Sequence, residues 1–192
     1  MNETEHSTSP NIAGWVREYG AELYAFAYRQ LRSVEDAEDA VQEAFFAAVR
    51  NQQNYRGDAS PRTWLYMILR SKIVDTVRKH QRMEILSENN DDLDSHLFDE
   101  KGHWRTDAAP SPSSMPPNAN ELDAEDVQKH LNTCLGLLKP SQRLVLLKTY
   151  LDDAPAELIR KELNISASNY WVLLHRARHS MRLCIHKHLS LE

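Results

Sequence analysis

Between residues 11 and 86, apolar side chains recur at intervals of three and four, the spacing of one face of an α-helix. Val16, Tyr19, Leu23, Phe26 and Gln30 or Leu31 make the first stripe. A second stripe is built mostly of small residues: Ala37, Ala40, Val41, Ala44, Phe45, Ala48 and Val49. Ser33 stands where an N-cap belongs, and Glu35 and Asp36 follow in the first turn, where the helix dipole favours carboxylates. The stretch Tyr55 to Ala59 breaks the pattern and reads as a loop. Ser60-Pro61 restarts it, serine as cap and proline at the first helical position. Leu65, Ile68, Leu69, Ile73 and Val77 then predict the core face of a third helix.

Periodicity fails over residues 87–120, where Pro110, Pro112, Pro116 and Pro117 fall among serines and asparagines. That composition predicts a flexible linker. One apolar island within it, Leu97 to Trp104, is large enough to dock on a domain. Residues 121–190 read as four more helices. Val127, Leu131, Cys134, Leu135 and Leu138 face the core on the first, and Lys139-Pro140 ends it. Ser141 to Leu151 form the second, and Asp153-Ala154-Pro155 opens a third through Leu158, Ile159 and Leu163. Asn164-Ile165-Ser166 is a short turn in which asparagine can take the left-handed conformation, and Ser166 caps the last helix. No stretch reads as a strand. The pattern predicts an all-α chain with domains at 11–86 and 121–190 joined through 87–120.

Composition narrows the classes. Hydrophobic residues are 41% and charged residues 27% of 192, the balance of a globular chain. No run approaches the roughly 18 apolar residues of a membrane span, and Met1 to Pro10 has neither the basic nor the apolar part of a signal peptide. The expected location is therefore cytoplasmic, without membrane insertion. The two cysteines, Cys134 and Cys184, cannot make a disulfide framework. One bond is arithmetically possible, but two reduced thiols are expected in that compartment, Cys184 buried in the core stripe.

The net charge of −5 conceals a division. Residues 11–55 are acidic, with seven acidic and four basic side chains. Residues 56–82 are basic: Arg56, Arg62, Arg70, Lys72, Arg78, Lys79 and Arg82 against Asp58 and Asp75. Residues 87–126 carry eleven acidic and two basic side chains, and 127–192 carry ten basic and five acidic. Two basic segments flanking an acidic spacer are the electrostatic footprint of phosphate binding.

The third and fourth helices of the second half, joined by three residues, have helix-turn-helix form. In the last helix Tyr170, Leu174, Ala177, Met181 and Cys184 face the core, so the opposite face carries Ser168, Val172, His175 and His179, flanked by Asn169 and Arg176. Asparagine can pair with adenine in the major groove, and arginine with guanine or phosphate. His175 with His179, or Cys184 with His186 and His188, could hold a metal, but no second clustered pair completes a four-ligand set, and no metal or cofactor is expected.

These residues resemble the extracytoplasmic function (ECF) group of bacterial sigma factors, within the sigma-70 family. Asp36-Ala37-Glu38-Asp39-Ala40-Val41-Gln42-Glu43-Ala44-Phe45 resembles its region 2.2. Tyr55-Arg56-Gly57-Asp58 with Thr63-Trp64-Leu65-Tyr66-Met67-Ile68 resembles region 2.3, and Ile73-Val74-Asp75 with Arg78-Lys79 resembles region 2.4. Leu138-Lys139-Pro140-Ser141-Gln142-Arg143 and Leu174-His175-Arg176-Ala177-Arg178 resemble region 4. The resemblance covers both halves, in order.

It implies a protein that binds core RNA polymerase, directs it to a promoter and helps open the DNA, with no catalytic residue of its own. The acidic face of Asp36, Asp39, Gln42 and Glu43 would meet the polymerase. Tyr55, Arg56, Asp58, Trp64, Arg70, Ser71, Lys72, Arg78 and Lys79 would meet the −10 element, with Trp64 equally suited to anchoring the core. Ser168, Asn169, Trp171, Val172, His175, Arg176 and His179 would meet the −35 element. An anti-sigma factor is the further partner the resemblance implies. Two departures stand out: Ser71 occupies a position where the family often has Asn, and residues 168–174 replace the family's common Gly-Thr-Val-Lys-Ser-Arg-Leu, losing basic groups at Trp171 and Leu173. The rival readings are a free-standing helix-turn-helix regulator and, further off, a zinc hydrolase.

Overall fold

A computed structural model of the chain describes residues 11–87 and 124–189. The proposed linker, with its Leu97 to Trp104 island, lies almost wholly outside the described residues. Among the described residues there are seven helices, one short 3-10 turn and no strand. The chain divides into two compact units, residues 1–76 and 77–192, with the division falling inside the third helix.

Helix α1 (Ile12–Leu31) starts at Asn11, whose side-chain oxygen accepts from the Gly14 amide at 2.9 Å. It stops at Arg32, which takes a left-handed conformation with φ 56°. Only Arg32 and Ser33 separate it from α2 (Val34–Arg50), so the chain doubles back into a helical hairpin. The expected Ser33 cap is in place, its hydroxyl accepting from the Asp36 amide at 3.2 Å. α2 packs on α1 and buries Ala37, Ala40, Ala44 and Ala48, while α1 buries Ile12, Leu23, Ala27, Gln30 and Leu31. Methyl side chains at the contact allow two helix axes to approach closely. Val16 and Val49, both expected in the core, are exposed. They sit at the open end of the hairpin, farthest from its two-residue link.

Helix α3 (Pro61–Ser87) follows the 3-10 turn Gln52–Asn54 and a loop. Ser60 caps it, accepting from the Thr63 amide at 3.1 Å. Leu65, Leu69, Ile73 and Val77 are buried as expected, and Val74 joins them. Hydrogen bonds tie α3 to α1: Glu22 accepts from Arg62 and, at 2.9 Å, from the Tyr66 hydroxyl.

The second unit contains α4 (Ala124–Leu137), α5 (Pro140–Tyr150), α6 (Ala156–Leu163) and α7 (Ala167–Leu189). α7 packs against each of the other three. Its stripe of Tyr170, Leu174, Ala177 and Met181 is buried, while Val127 and Leu158, expected inside, are exposed. Between α4 and α7 lies a cluster of Cys134, Leu138, Ala177 and Met181, with Leu131, Leu135, Leu146, Cys184 and Ile185 against it.

The expectation of two reduced thiols is overturned, because Cys134 and Cys184 form a disulfide. The physical reason is the facing of two stripes. Spacings of three and four put Cys134 on the inner face of α4 and Cys184 on the inner face of α7, and packing brings their Cα atoms to 5.7 Å, within bridging range. Counting cysteines 50 residues apart gives no hint of that distance. The bond also occupies the thiolate that a Cys184-based metal set would need. Among the described residues no three His, Cys, Asp or Glu side chains gather as a metal site, and no helix is long and apolar enough to cross a membrane.

Candidate nucleic-acid and protein interface

The first candidate surface is the outer side of α2. Burying the alanines at 37, 40, 44 and 48 turns Asp39, Gln42 and Glu43 outward, with Asp36 half-exposed at the start of the helix. Glu43 is not an isolated acid: Arg50 and Lys72 each place a nitrogen 3.7 Å from its carboxylate. The Arg50 pair is exposed, and such pairs contribute about 0–1 kcal/mol, so that cation can be released to a stronger partner. Phe46 and Val49 extend this face as exposed apolar residues. Phe46 lies four residues from Gln42 and seven from Asp39, a helical spacing that puts it beside the acids.

The second surface is the loop between α2 and α3. Asn51 closes α2 by donating its side-chain amide to the Ala47 carbonyl at 2.9 Å. Gly57 has φ +79°, which a side chain would strain, and this lets the loop turn. The Tyr55 hydroxyl donates to the Ala59 carbonyl at 2.8 Å, tying the loop across its base. Three aromatic rings then hold that base: Trp15 lies 5.3 Å from Tyr55 and 6.2 Å from Trp64, and Tyr55 lies 5.1 Å from Trp64. Trp64 is half-buried there and anchors the loop to α3. Trp15 was not singled out in the sequence, because one aromatic at the start of a helix carries no signal of its partners.

With its base fixed, the loop presents Arg56 and Asp58 to solvent. Arg62 is committed to Glu22, whose carboxyl is held below its ordinary range first by the hydrogen bond from Arg62 and then by that from Tyr66. Burial, then Glu22, pushes the Tyr66 hydroxyl up. Along α3, Arg70 and Ser71 are exposed, Arg70 lying over the Phe26 ring at 5.8 Å, and Lys72 is half-buried beside Glu43. Further along the same helix Arg78 is half-buried and Lys79 exposed. Within the first unit the loop tip and the Arg70 to Lys72 stretch of α3 thus present cations near the three clustered rings, a combination suited to unpaired nucleotides, where stacking and phosphate contacts act together; Arg78, in the second unit, donates to the Glu162 carbonyl.

The third surface is the start of α7. Asn164 takes the left-handed conformation, φ 54°, as its side chain permits. The Ile165 amide returns to the Arg160 carbonyl at 3.0 Å, closing α6. Ser166 then accepts from the Asn169 amide at 3.1 Å and opens α7. Ser168, Asn169 and Trp171 are exposed; Val172, His175, Arg176 and His179 are half-buried. The outward side of α7 is therefore most open in its first turn and a half. Burial pushes the His179 imidazole below its ordinary range, with the charge of Arg182 adding to the effect.

Below this surface, charged residues serve as internal fasteners. Arg143, part of the Lys139-Pro140-Ser141-Gln142-Arg143 motif, is buried. Its guanidinium donates to the carbonyls of Leu135, Gly136 and Leu138 at 2.7, 3.2 and 2.6 Å. Those are carbonyls at the end of α4, which a helix cannot satisfy from within. Lys148, also buried, pairs with Glu162 at 2.6 Å and joins α5 to α6. At the surface of the same unit, Arg178 donates to the Tyr150 hydroxyl and lies over its ring at 5.3 Å.

Comparison with known proteins places these surfaces in context. The sigma-70 region 2 family model matches residues 15–83. The chain is 31% identical over 169 residues to a probable RNA polymerase sigma factor of Haemophilus influenzae, covering 88% of this chain and 86% of that one. It is 28% identical over 167 residues to the ECF RNA polymerase sigma factor SigW of Bacillus subtilis, covering 85% and 83%. Among solved structures it is similar to the sigma factor RpoE in complex with the anti-sigma factor NepR from Bartonella quintana. That match has a TM-score of 0.44 and 19% identity, over 91% of this chain and 96% of that one.

Proposed function

This chain belongs to the ECF group of the sigma-70 family, and from that premise we propose a division of labour among its three surfaces. The protein is an alternative sigma factor: it binds RNA polymerase and gives it promoter recognition. The acidic side of α2, Asp36, Asp39, Gln42 and Glu43, with Phe46 and Val49 beside it, docks on the core enzyme. Charge of opposite sign on the partner would steer the encounter and fix its register. The loop from Tyr55 to Ser60 and the cations of α3 act on the −10 element. Extruding a base from the duplex costs a few kcal/mol, which a fixed loop with stacking and phosphate contacts can offset. The start of α7 reads the −35 element in the major groove.

Residues 11–86 and 121–190 serve as the two domains, and 87–120 as the tether between them. The polymerase performs the chemistry, so no residue here is assigned a catalytic role, and the protein works in the cytoplasm, where the polymerase is. An anti-sigma factor that covers the polymerase-binding face is the regulatory partner this reading implies.

The observation that carries the reading is the span of the likeness: 88% of the chain aligns with a sigma factor, taking in both helical halves. A free-standing regulator would need only the helix-turn-helix and would leave the acidic α2 and the clamped loop without a task. Reconstitution separates the two. Purified chain added to core polymerase should produce transcripts that start at specific promoters and vanish without it. Specific binding to duplex DNA by the chain alone, with no association with core enzyme, would establish the free-standing regulator instead.

A further inference from the structure

The first turns of α7 read as a base-contacting surface only in a particular chemistry. From Ser166 to Leu174 there is no charged side chain. Of the groups exposed there, Ser168 and Asn169 are small and polar, and Trp171 is large and apolar, with half its surface open to solvent. Its neighbour Tyr170 is buried and sets its ring edge-on to the indole at 5.0 Å. The Tyr170 hydroxyl is itself 3.2 Å from that of Thr149 on α5. The indole thus stands on a fixed support, which lowers the entropy lost when it is pressed against a partner. Arg178, two helical turns further along the same side, is engaged with Tyr150. Trp171 therefore meets its partner through contact, not charge.

In the major groove the one apolar group a base pair presents is the C5-methyl of thymine; the remaining edge groups are hydrogen-bond donors and acceptors. We propose that Trp171 is a specificity-determining residue that packs its indole on a thymine methyl in the −35 element. This rests on the reading of α7 as the −35 surface and specifies what that surface prefers. The cation-free turn contributes little to nonspecific phosphate affinity, so a methyl contact accounts for a larger share of −35 discrimination than on a basic recognition helix.

The test uses the full chain assembled with core polymerase. Promoter fragments are first selected from a pool randomised across the −35 segment. Each thymine of the selected segment is then replaced singly by deoxyuridine, which removes the methyl and nothing else. At one position or two, the swap should weaken binding by about fourfold, the effect of one buried methyl group. The W171A protein should bind the thymine template about as weakly as the wild type binds the uridine one, and should no longer distinguish them. W171F, which keeps an apolar face, should restore part of the discrimination. A wild-type protein indifferent to every methyl, or a W171A protein that still distinguishes them, overturns the proposal; an equal loss for W171A on both templates, with the wild type indifferent, would place the indole against a protein partner. A pool that yields no preferred −35 sequence would count against the −35 reading itself, and against this proposal with it.

Discussion

The two helical units solve the same problem with different means. In the first, α1 and α2 meet through alanines and aliphatic side chains, and none of the charged residues of α2 is buried. In the second, charged and sulfur side chains sit inside: Arg143 closes α4, Lys148 joins α5 to Glu162 of α6, and a disulfide joins α4 to α7. On a hairpin packed by methyl groups, the outward acids of α2 do not hold helix ends together, and the long pairs of Glu43 with Arg50 and Lys72 can be exchanged for a partner. In a bundle of short helices, a basic motif such as Lys139-Pro140-Ser141-Gln142-Arg143 can instead hold helix ends together.

Four perturbations sharpen that contrast. Reducing the disulfide should have the largest effect. A loop closed across 50 residues restrains the unfolded chain by about 4 kcal/mol in the chain-entropy account. Amide exchange with and without reductant should quicken in α4 and α7 and stay unchanged in α1 and α2. Equal changes in both units would break the comparison. R143A should follow, at about 3 kcal/mol, because it strands buried carbonyls at the end of α4. R143K should recover only part of this, since an ammonium cannot reach three carbonyls with the guanidinium's planar spread. Denaturation curves of the three proteins provide the ranking.

In the first unit the sensitive quantity is volume. A44L should cost about 1–3 kcal/mol by forcing α2 away from α1, seen as a lower unfolding midpoint. The smallest effect concerns His179. Its folded-state affinity for a proton is lowered, so between that lowered value and the ordinary one near 6.5 the unfolded chain binds more protons. Stability should therefore rise with pH across that window and be lost as pH falls through it. H179Q should flatten the dependence just below the ordinary histidine range. An unchanged slope would mean that other groups carry it.

Periodicity made most of the fold legible. The caps Ser33, Ser60 and Ser166, the left-handed Asn164 and the core stripes of α3 and α7 follow from local chemistry, and local chemistry is what a sequence displays. The acidic side of α2 was legible for the same reason: once the alanines face inward, Asp39 and Glu43 can only face out. What stayed hidden depends on long-range proximity. Tyr55 and Trp64 drew notice, yet their third ring, Trp15, is 40 residues from Tyr55 in the chain and was missed. Glu22 and Arg62 are likewise 40 apart, and the cysteines 50. Val16 and Val49 fit their stripes but fall at the open end of a hairpin, a place that only the assembled helices define.

In the proposed division of labour, the outward acids of α2 are the handle by which RNA polymerase takes hold of this protein. A binding titration of core polymerase with labelled wild-type chain and with the D39K/E43K double reversal tests it most directly, with helix content and unfolding midpoint measured alongside. Because both side chains are exposed, the variant should fold as the wild type does. Its affinity for core enzyme should fall about tenfold or more, as expected when close charge pairs across an interface turn repulsive. A folded variant that binds core polymerase as tightly as the wild type would contradict the account.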